Sequence, residues 1–349
     1  MLFGSKKILY RVRIVQIKKH SMKYRVFGKT GWNVSEVGLG TWQVGGGWGK
    51  PFDLKKAELI LHSAIDQGIN FVDTADVYDG GLSESAVGKV IKERKEKIYV
   101  ATKCGRRIQP HTQEGYTPER LRKYVEDSLR NLGLEQIDLI QLHCPPTPVY
   151  RRDDIFGLFE DLKKEGKIAA MGVSVELVDE ALQAMKYEIV SSVQVIFNLF
   201  RQKPIENLFP KAETENIGLI IRVPLASGLL SGKITPQSTF PKDDHRFFNR
   251  EGKAFDKGET FSGVPLSIAF PAVDELKRDF ADDHDLAAQA LRWILMFKQV
   301  GTVIPGASSV EQVEKNVRAA QLPTLSPHQM QEAKSIYEEL IKEEVHHQW

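Results

Sequence analysis

One unit recurs along this chain: a short apolar run, then a stretch with helical spacing that ends at glycine or a polar turn. The runs span residues 37–42, 69–73, 98–103, 137–143, 168–174, 190–197, 218–223 and 301–304. Residues 54–67 place Ala57, Ile60, Leu61, Ala64 and Ile65 on one face and stop at Gly68. Thr117-Pro118 opens another helix, with the stripe Leu121, Tyr124, Val125, Leu129 and Leu132, and Gly133 ends it. Threonine suits the N-cap, proline the first helical position and glycine the left-handed C-terminal position. Further helices are expected over 84–92, 154–165, 177–185, within 205–215, and over 286–297, 310–320 and 327–343. Eight alternating units predict an α/β chain folded as a (β/α)8 TIM barrel rather than an open doubly wound sheet. No G-x-G-x-x-G follows the first strand, which counts against a dinucleotide-binding sheet of the open kind.

Ahead of the first unit, Lys23 to Phe27 and Asn33 to Val37 alternate on either side of a Gly28–Gly31 turn, the pattern of a β-hairpin. Residues 22–349 read as a single barrel domain that includes the last helix. Residues 1–21 hold six lysines and arginines and no acid; they are read as a basic leader outside the fold, with organellar targeting as the alternative. Residues 238–270 are polar and lack periodicity, so a long loop is expected to fold over the C-terminal ends of the strands. A net charge of +2 offers no reason to expect nucleic acid or membrane partners, and no apolar run is long enough to span a bilayer. Two cysteines, Cys104 and Cys144, make no disulfide framework, and the expected location is a reducing cytoplasm. Oligomeric state is not legible.

Barrel enzymes carry their chemistry at the C-terminal ends of the strands. Here Asp73, Lys103 and His143 stand at three successive strand ends, and Tyr78 follows Asp73 by five residues. Each has a plain reading alone: a turn aspartate, a surface tyrosine, a solvated lysine, a loop histidine. Together they form a proton-transfer set. Tyrosine has a pKa of about 10, and a nearby cation favours its phenolate. Lys103 is expected to supply that charge, Asp73 to hold Lys103, and His143 to orient a carbonyl oxygen while Tyr78 protonates it. The thiols of Cys104 and Cys144, next to Lys103 and His143, are read as inert, with redox sensitivity as the alternative. No metal site is expected.

The blocks Phe71 to Tyr78, Ala101-Thr-Lys103-Cys104 and Gln141-Leu-His143 resemble the signature blocks of the aldo-keto reductase family, in its bacterial type. The likeness runs from Met22 to about Leu340. It implies NAD(P)H-dependent reduction of a small aldehyde or ketone, with NADP(H) preferred and NAD(H) as the alternative. Ser309 and Gln312 have capping-box spacing, and such a helix N-terminus can receive a phosphate. The resemblance assigns the adenosine end of the coenzyme to Gly306, Ser308, Ser309, Gln312 and Asn316. It assigns the pyrophosphate to Leu225, Ser227, Gly228 and Leu230, the carboxamide to Ser174 and Gln194, and the nicotinamide end to Gly40 and Thr41.

The chain departs from the family pattern in three places. Val175 stands where many members have asparagine. Arg222 stands where many stack a tyrosine on the nicotinamide; its planar group can also stack. No arginine or lysine flanks Ser308 to grip a 2′-phosphate, and Lys315 is the nearest cation. Trp42, Trp48, Tyr78, His111 and the 238–270 loop are candidate pocket walls, and Arg106 and Arg107 raise the question of an anionic substrate. Two other readings compete. One is a Schiff-base lyase using Lys103; the other is a non-catalytic, cofactor-binding regulatory subunit.

Overall fold

The hairpin forms where the alternation places it. In the computed structural model, which describes residues 22–46, 50–281 and 285–349, β1 (Tyr24–Phe27) pairs antiparallel with β2 (Trp32–Ser35). The basic leader, Gly47 and Trp48 lie outside the described residues. Gly28 takes a positive φ of 50°, and a Cβ there would lie 2.3 Å from the Gly218 nitrogen. Only glycine lets this turn press so closely on the strand above it.

Eight strands follow among the described residues: β3 (Leu39–Gly40), β4 (Phe71–Asp73), β5 (Tyr99–Cys104), β6 (Ile137–His143), β7 (Ile168–Ser174), β8 (Val190–Ile196), β9 (Gly218–Arg222) and β10 (Val300–Val303). They pair in parallel and in sequence order from β3 to β10. Parallel bridges from Val37 to Val303 and from Gly40 to Gly306 bring the two edges together, giving a nearly closed (β/α)8 barrel. The first strand is shorter than its apolar run suggested. Beyond Gly40, Thr41 turns in and donates both its N–H and its hydroxyl to the Asp73 carbonyl, at 2.9 and 3.0 Å.

Helices occupy the outside: α1 (Leu54–Asp66), α2 (Leu82–Glu93), α3 (Pro118–Leu132), α4 (Asp153–Lys164), α5 (Val178–Ala184), α6 (Leu208–Thr214), α7 (His245–Phe248), α8 (Leu266–Glu275), α9 (Leu286–Leu295), α10 (Val310–Ala320), α11 (Pro327–Ile336) and α12 (Lys342–Val345). The caps of α3 are those its sequence announces: Thr117 accepts from the Arg120 N–H, and Gly133 takes a φ of 61°. One expectation needs correction. The 238–270 loop ends early, because α8 begins at Leu266 and runs on as a wider helical turn over Leu276–Phe280. Pro271 inside it hides the helix from a reading of the sequence. The stripe Ala269, Ala272, Val273, Leu276 and Phe280 is buried, and that burial outweighs the hydrogen bond proline cannot make.

Side chains alternate along each strand, so every second residue points into the barrel. At the hairpin end the interior is apolar: Phe27, Val34, Phe71, Ala101, Leu139, Ala170, Ile220 and Ile304 form a cluster of their own. Two residues further along the same strands stand Asp73, Lys103, Gln141 and Arg222. The hairpin thus plugs one end, and polar groups gather at the other.

Candidate active site

Lys103 is the hub. Its ammonium donates to Asp73 Oδ1 at 2.5 Å, to the Thr74 carbonyl at 2.7 Å and to the Tyr78 hydroxyl at 3.2 Å. Three acceptors match the three protons of an ammonium. The second carboxylate oxygen of Asp73 accepts from Gln194 Nε2 at 2.7 Å and from Gln141 Nε2 at 3.2 Å. Asp73 and Lys103 are 2% and 1% exposed, so the pair is sealed from water. Tyr78 reaches it by a local device. The Thr74 and Asp76 N–H groups continue the ladder to the carbonyls of Ala101 and Lys103, and Asp79 and Gly80 then turn left-handed with φ 49° and 63°. Its ring stands edge-on to Trp42 and His143, with centroids 5.1 and 6.2 Å apart. The structure therefore brings together all four residues of the proton-transfer set.

The electrostatics correct one expectation. Burial pushes the Tyr78 phenol above its ordinary pKa; the Lys103 charge opposes this without reversing it, and the carboxylates of Asp73 and Glu259 add to the rise. Tyr78 is accordingly held as a neutral phenol. Burial also works against the Lys103 ammonium, but Asp73 and Tyr78 outweigh it and its pKa stands above the usual lysine value. Burial, with Lys103, Arg106 and Arg222 around it, holds His143 well below the usual histidine value, so the ring is neutral, and its Nδ1 is buried without a partner. Both cysteines are free and buried; burial pushes Cys144 up to about 11 and Cys104 well above the ordinary thiol value. Protonated, enclosed thiols are poor nucleophiles.

The residues assigned to coenzyme lie in three places. At the rim of the barrel, the backbone of Gly40 donates to the Pro305 carbonyl, and the Thr41 hydroxyl is fully buried against Ser83. Ser174 is buried beside Cys144, and Gln194 directs its amide nitrogen to Asp73 and Gln141. After β9, the backbone takes positive φ at Val223, Ala226, Ser227 and Gly228, unusual for the first three, which carry a Cβ. Leu225 borders this loop half-buried, and Leu230 is packed inward. Ser227 donates to the Glu259 carbonyl at 2.9 Å and accepts from the Phe261 N–H, tying the long loop down.

The third place is the start of α10. Ser309 caps the helix through the Gln312 N–H. The expected capping box is only half made: Gln312 Oε1 reaches past Ser309 to the Ser308 N–H at 2.6 Å. The half-buried Ser308 and Ser309 stand beside the exposed Gly306, whose carbonyl accepts from Asn316. Lys315 is paired with Glu311 one turn away.

Arg222 lies at the end of β9. Its guanidinium meets Glu259 at 3.3 Å and donates to the Val175 carbonyl at 3.1 Å. Glu259 also faces Arg106 at 3.6 Å, and Arg106 faces Glu176 at 3.4 Å. Sequence reasoning missed three members of the site. Gln141 was within reach, since it lies two residues before His143 and must share its face. Thr74 acts through its carbonyl, and Glu259 lies in the aperiodic loop, so neither leaves a sequence signal.

Known proteins resemble the chain over most of its length. The aldo/keto reductase family model matches residues 36–338. An uncharacterized oxidoreductase of Bacillus subtilis, YqkF, is 32% identical over 317 residues, covering 90% of this chain and 96% of its own. An NADH-specific methylglyoxal reductase of Escherichia coli is 29% identical over 319 residues, covering 85% and 93%. The holo form of the aldo-keto reductase AKR11C1 from Bacillus halodurans superposes with a TM-score of 0.72 at 29% identity, covering 90% and 96%. The chain belongs to the aldo/keto reductase family and is an oxidoreductase acting on carbonyl compounds.

Proposed function

We propose that this enzyme reduces an aldehyde or ketone to an alcohol with Tyr78 as general acid, Lys103 and Asp73 holding and tuning it, and His143 orienting the carbonyl. The observation that carries the reading is the Lys103 ammonium bonded at once to Asp73 and to the Tyr78 hydroxyl. When bound, a nicotinamide coenzyme supplies the hydride. The proton comes from the protein: the Tyr78 O–H donates to the developing alkoxide, and the adjacent ammonium stabilises the phenolate left behind. Neutral His143 can donate one hydrogen bond to the same oxygen and fix its direction.

Features of the fold support coenzyme binding by the assigned residues. The positive φ values at Val223, Ala226, Ser227 and Gly228 mark a strained turn of the type found at ligand clamps. The capped start of α10 offers a favourable dipole to a phosphate. NADP(H) is the preferred coenzyme in this reading and NAD(H) the alternative; the pairing of Lys315 with Glu311 keeps the alternative open. The lyase reading loses support because Lys103 is held as an ammonium, which is no nucleophile. Among the described residues no helix is long and apolar enough to cross a membrane, and a cytoplasmic location belongs to the proposal. Titration of tryptophan fluorescence with NADPH and with NADH tests the reading, because tight binding of one is required. Absence of binding by folded protein would return it to the lyase alternative.

A further inference from the structure

Building on the coenzyme assignment of the reductase reading, we infer that Trp349 is a positioning residue for coenzyme binding: clasped by Arg201, its ring holds residues 256–263 against the turn after β9 and so slows coenzyme release. The loop and the turn are tied directly. Ser227 donates to the Glu259 carbonyl at 2.9 Å and accepts from the Phe261 N–H at 3.1 Å. The Glu259 carboxylate meets Arg222 at 3.3 Å. Asn198, buried just beyond the end of β8, donates to the Val223 carbonyl at 2.9 Å and to the Ser262 hydroxyl at 2.8 Å, and its own oxygen accepts from the Phe200 N–H. Val223 and Ser262 take positive φ values of 51° and 55°, so one amide fixes a strained residue on each side.

Trp349 bears on the same loop at Gly258 and Gly263. A Cβ at Gly258 would come within 2.8 Å of the indole and closer still to the Arg201 guanidinium, and one at Gly263 within 2.9 Å of the indole. The Arg201 guanidinium lies 3.8 Å from the ring centroid, and the two residues are 1% and 5% exposed. A cation on an aromatic face is worth most where water is excluded. Arg201 also donates to the Glu176 carbonyl and faces Asp256 of the loop at 3.9 Å. The indole N–H is buried with no hydrogen-bond partner. Burying an unpaired donor costs free energy, so this position uses the face of the ring and not its polar edge. The tail follows a fixed path to the loop. Gln202 donates to the Ala333 carbonyl at 3.1 Å, and His346 meets Glu206 at 3.1 Å and the Tyr337 hydroxyl at 2.8 Å. One stretch after β8, residues 198–206, thus joins the turn, the loop and the tail. With the loop held by the protein's own contacts, coenzyme binding does not have to order it.

The test reads Kd and dissociation rate for NADPH and for NADH from the emission of the reduced nicotinamide, with Tm measured beside them. Trp349→Ala is expected to raise both Kd values alike, by roughly tenfold and through faster dissociation, because the two coenzymes share the pyrophosphate assigned to the turn. kcat at saturating coenzyme is not lowered, since the loop and ring leave the proton-transfer set untouched. Trp349→Phe keeps an aromatic face for Arg201 and restores most of the affinity. Gly258→Ala wedges the loop off the ring with the tail intact and weakens binding in the same direction, which keeps the inference testable if Trp349→Ala does not fold. Unmoved Kd values in folded Trp349→Ala or Gly258→Ala overturn the inference alone, as does a lower Tm with unchanged Kd. Weakening confined to NADPH also overturns it, by placing the effect at the 2′-phosphate. A parent protein that binds neither coenzyme removes the reductase reading and this inference with it.

Discussion

The two layers inside the barrel share the same strands and differ in everything else. The lower layer, Phe71, Ala101, Leu139 and Ala170 with Phe27 of the hairpin beneath, is wholly apolar. The upper layer puts Asp73, Lys103 and Gln141 one inward position further on, with Gln194 joining from β8. Burial of the lower layer is favourable by itself. Burial of an ion pair is weak evidence for stability, because its desolvation offsets its attraction. The upper layer is therefore explained by chemistry, and the stability that tolerates it comes from the layer below and from the packing between strands and helices.

The largest expected effect is at the top. Tyr78→Phe should lower kcat by about 10²- to 10⁴-fold while thermal stability and coenzyme affinity stay close to the parent. Steady-state kinetics and coenzyme titration check this, and surviving turnover would break the division. The converse change is at the bottom. Phe27→Ala opens a cavity under Phe71 and Trp32 and should cost about 3–5 kcal/mol by urea denaturation, with kcat per folded molecule retained. A lost kcat at full stability would show that the layers are not separable.

A third prediction concerns the charge outside the upper layer. Both oxygens of Asp76 are buried without a hydrogen bond, and burial, then Glu84, pushes its pKa up to about 7 against the pull of Arg107, 4.0 Å away. For a raised acid the stability is present below the unfolded pKa near 4 and is lost as pH rises towards 7. Asp76→Asn keeps the neutral shape. Its stability advantage over the parent, measured by urea denaturation, should therefore grow between about pH 4 and pH 7 and then level off at about 4 kcal/mol. A constant difference across that range would show that the carboxyl ionises freely. The smallest effect is at the start of α10, where Ser308→Arg should raise the NADPH-to-NADH ratio of kcat/KM by roughly tenfold. An unmoved ratio would take the 2′-phosphate away from that helix.

The sequence by itself determined the eight-unit rhythm, the hairpin, the Thr117 and Gly133 caps and the strand-end positions of Asp73, Lys103 and His143. These are short-range properties: apolar spacing, cap chemistry and the position of a residue at a strand end. The tertiary structure alone decided that Gln194 bonds to Asp73, 121 residues away, and that Glu259 lies between Arg106 and Arg222. It also decided that α8 forms despite Pro271, and that burial wins over Lys103 in setting the Tyr78 pKa. Each of these depends on which groups barrel closure brings together and how completely it removes water from them, and neither quantity is carried by any local stretch of the chain.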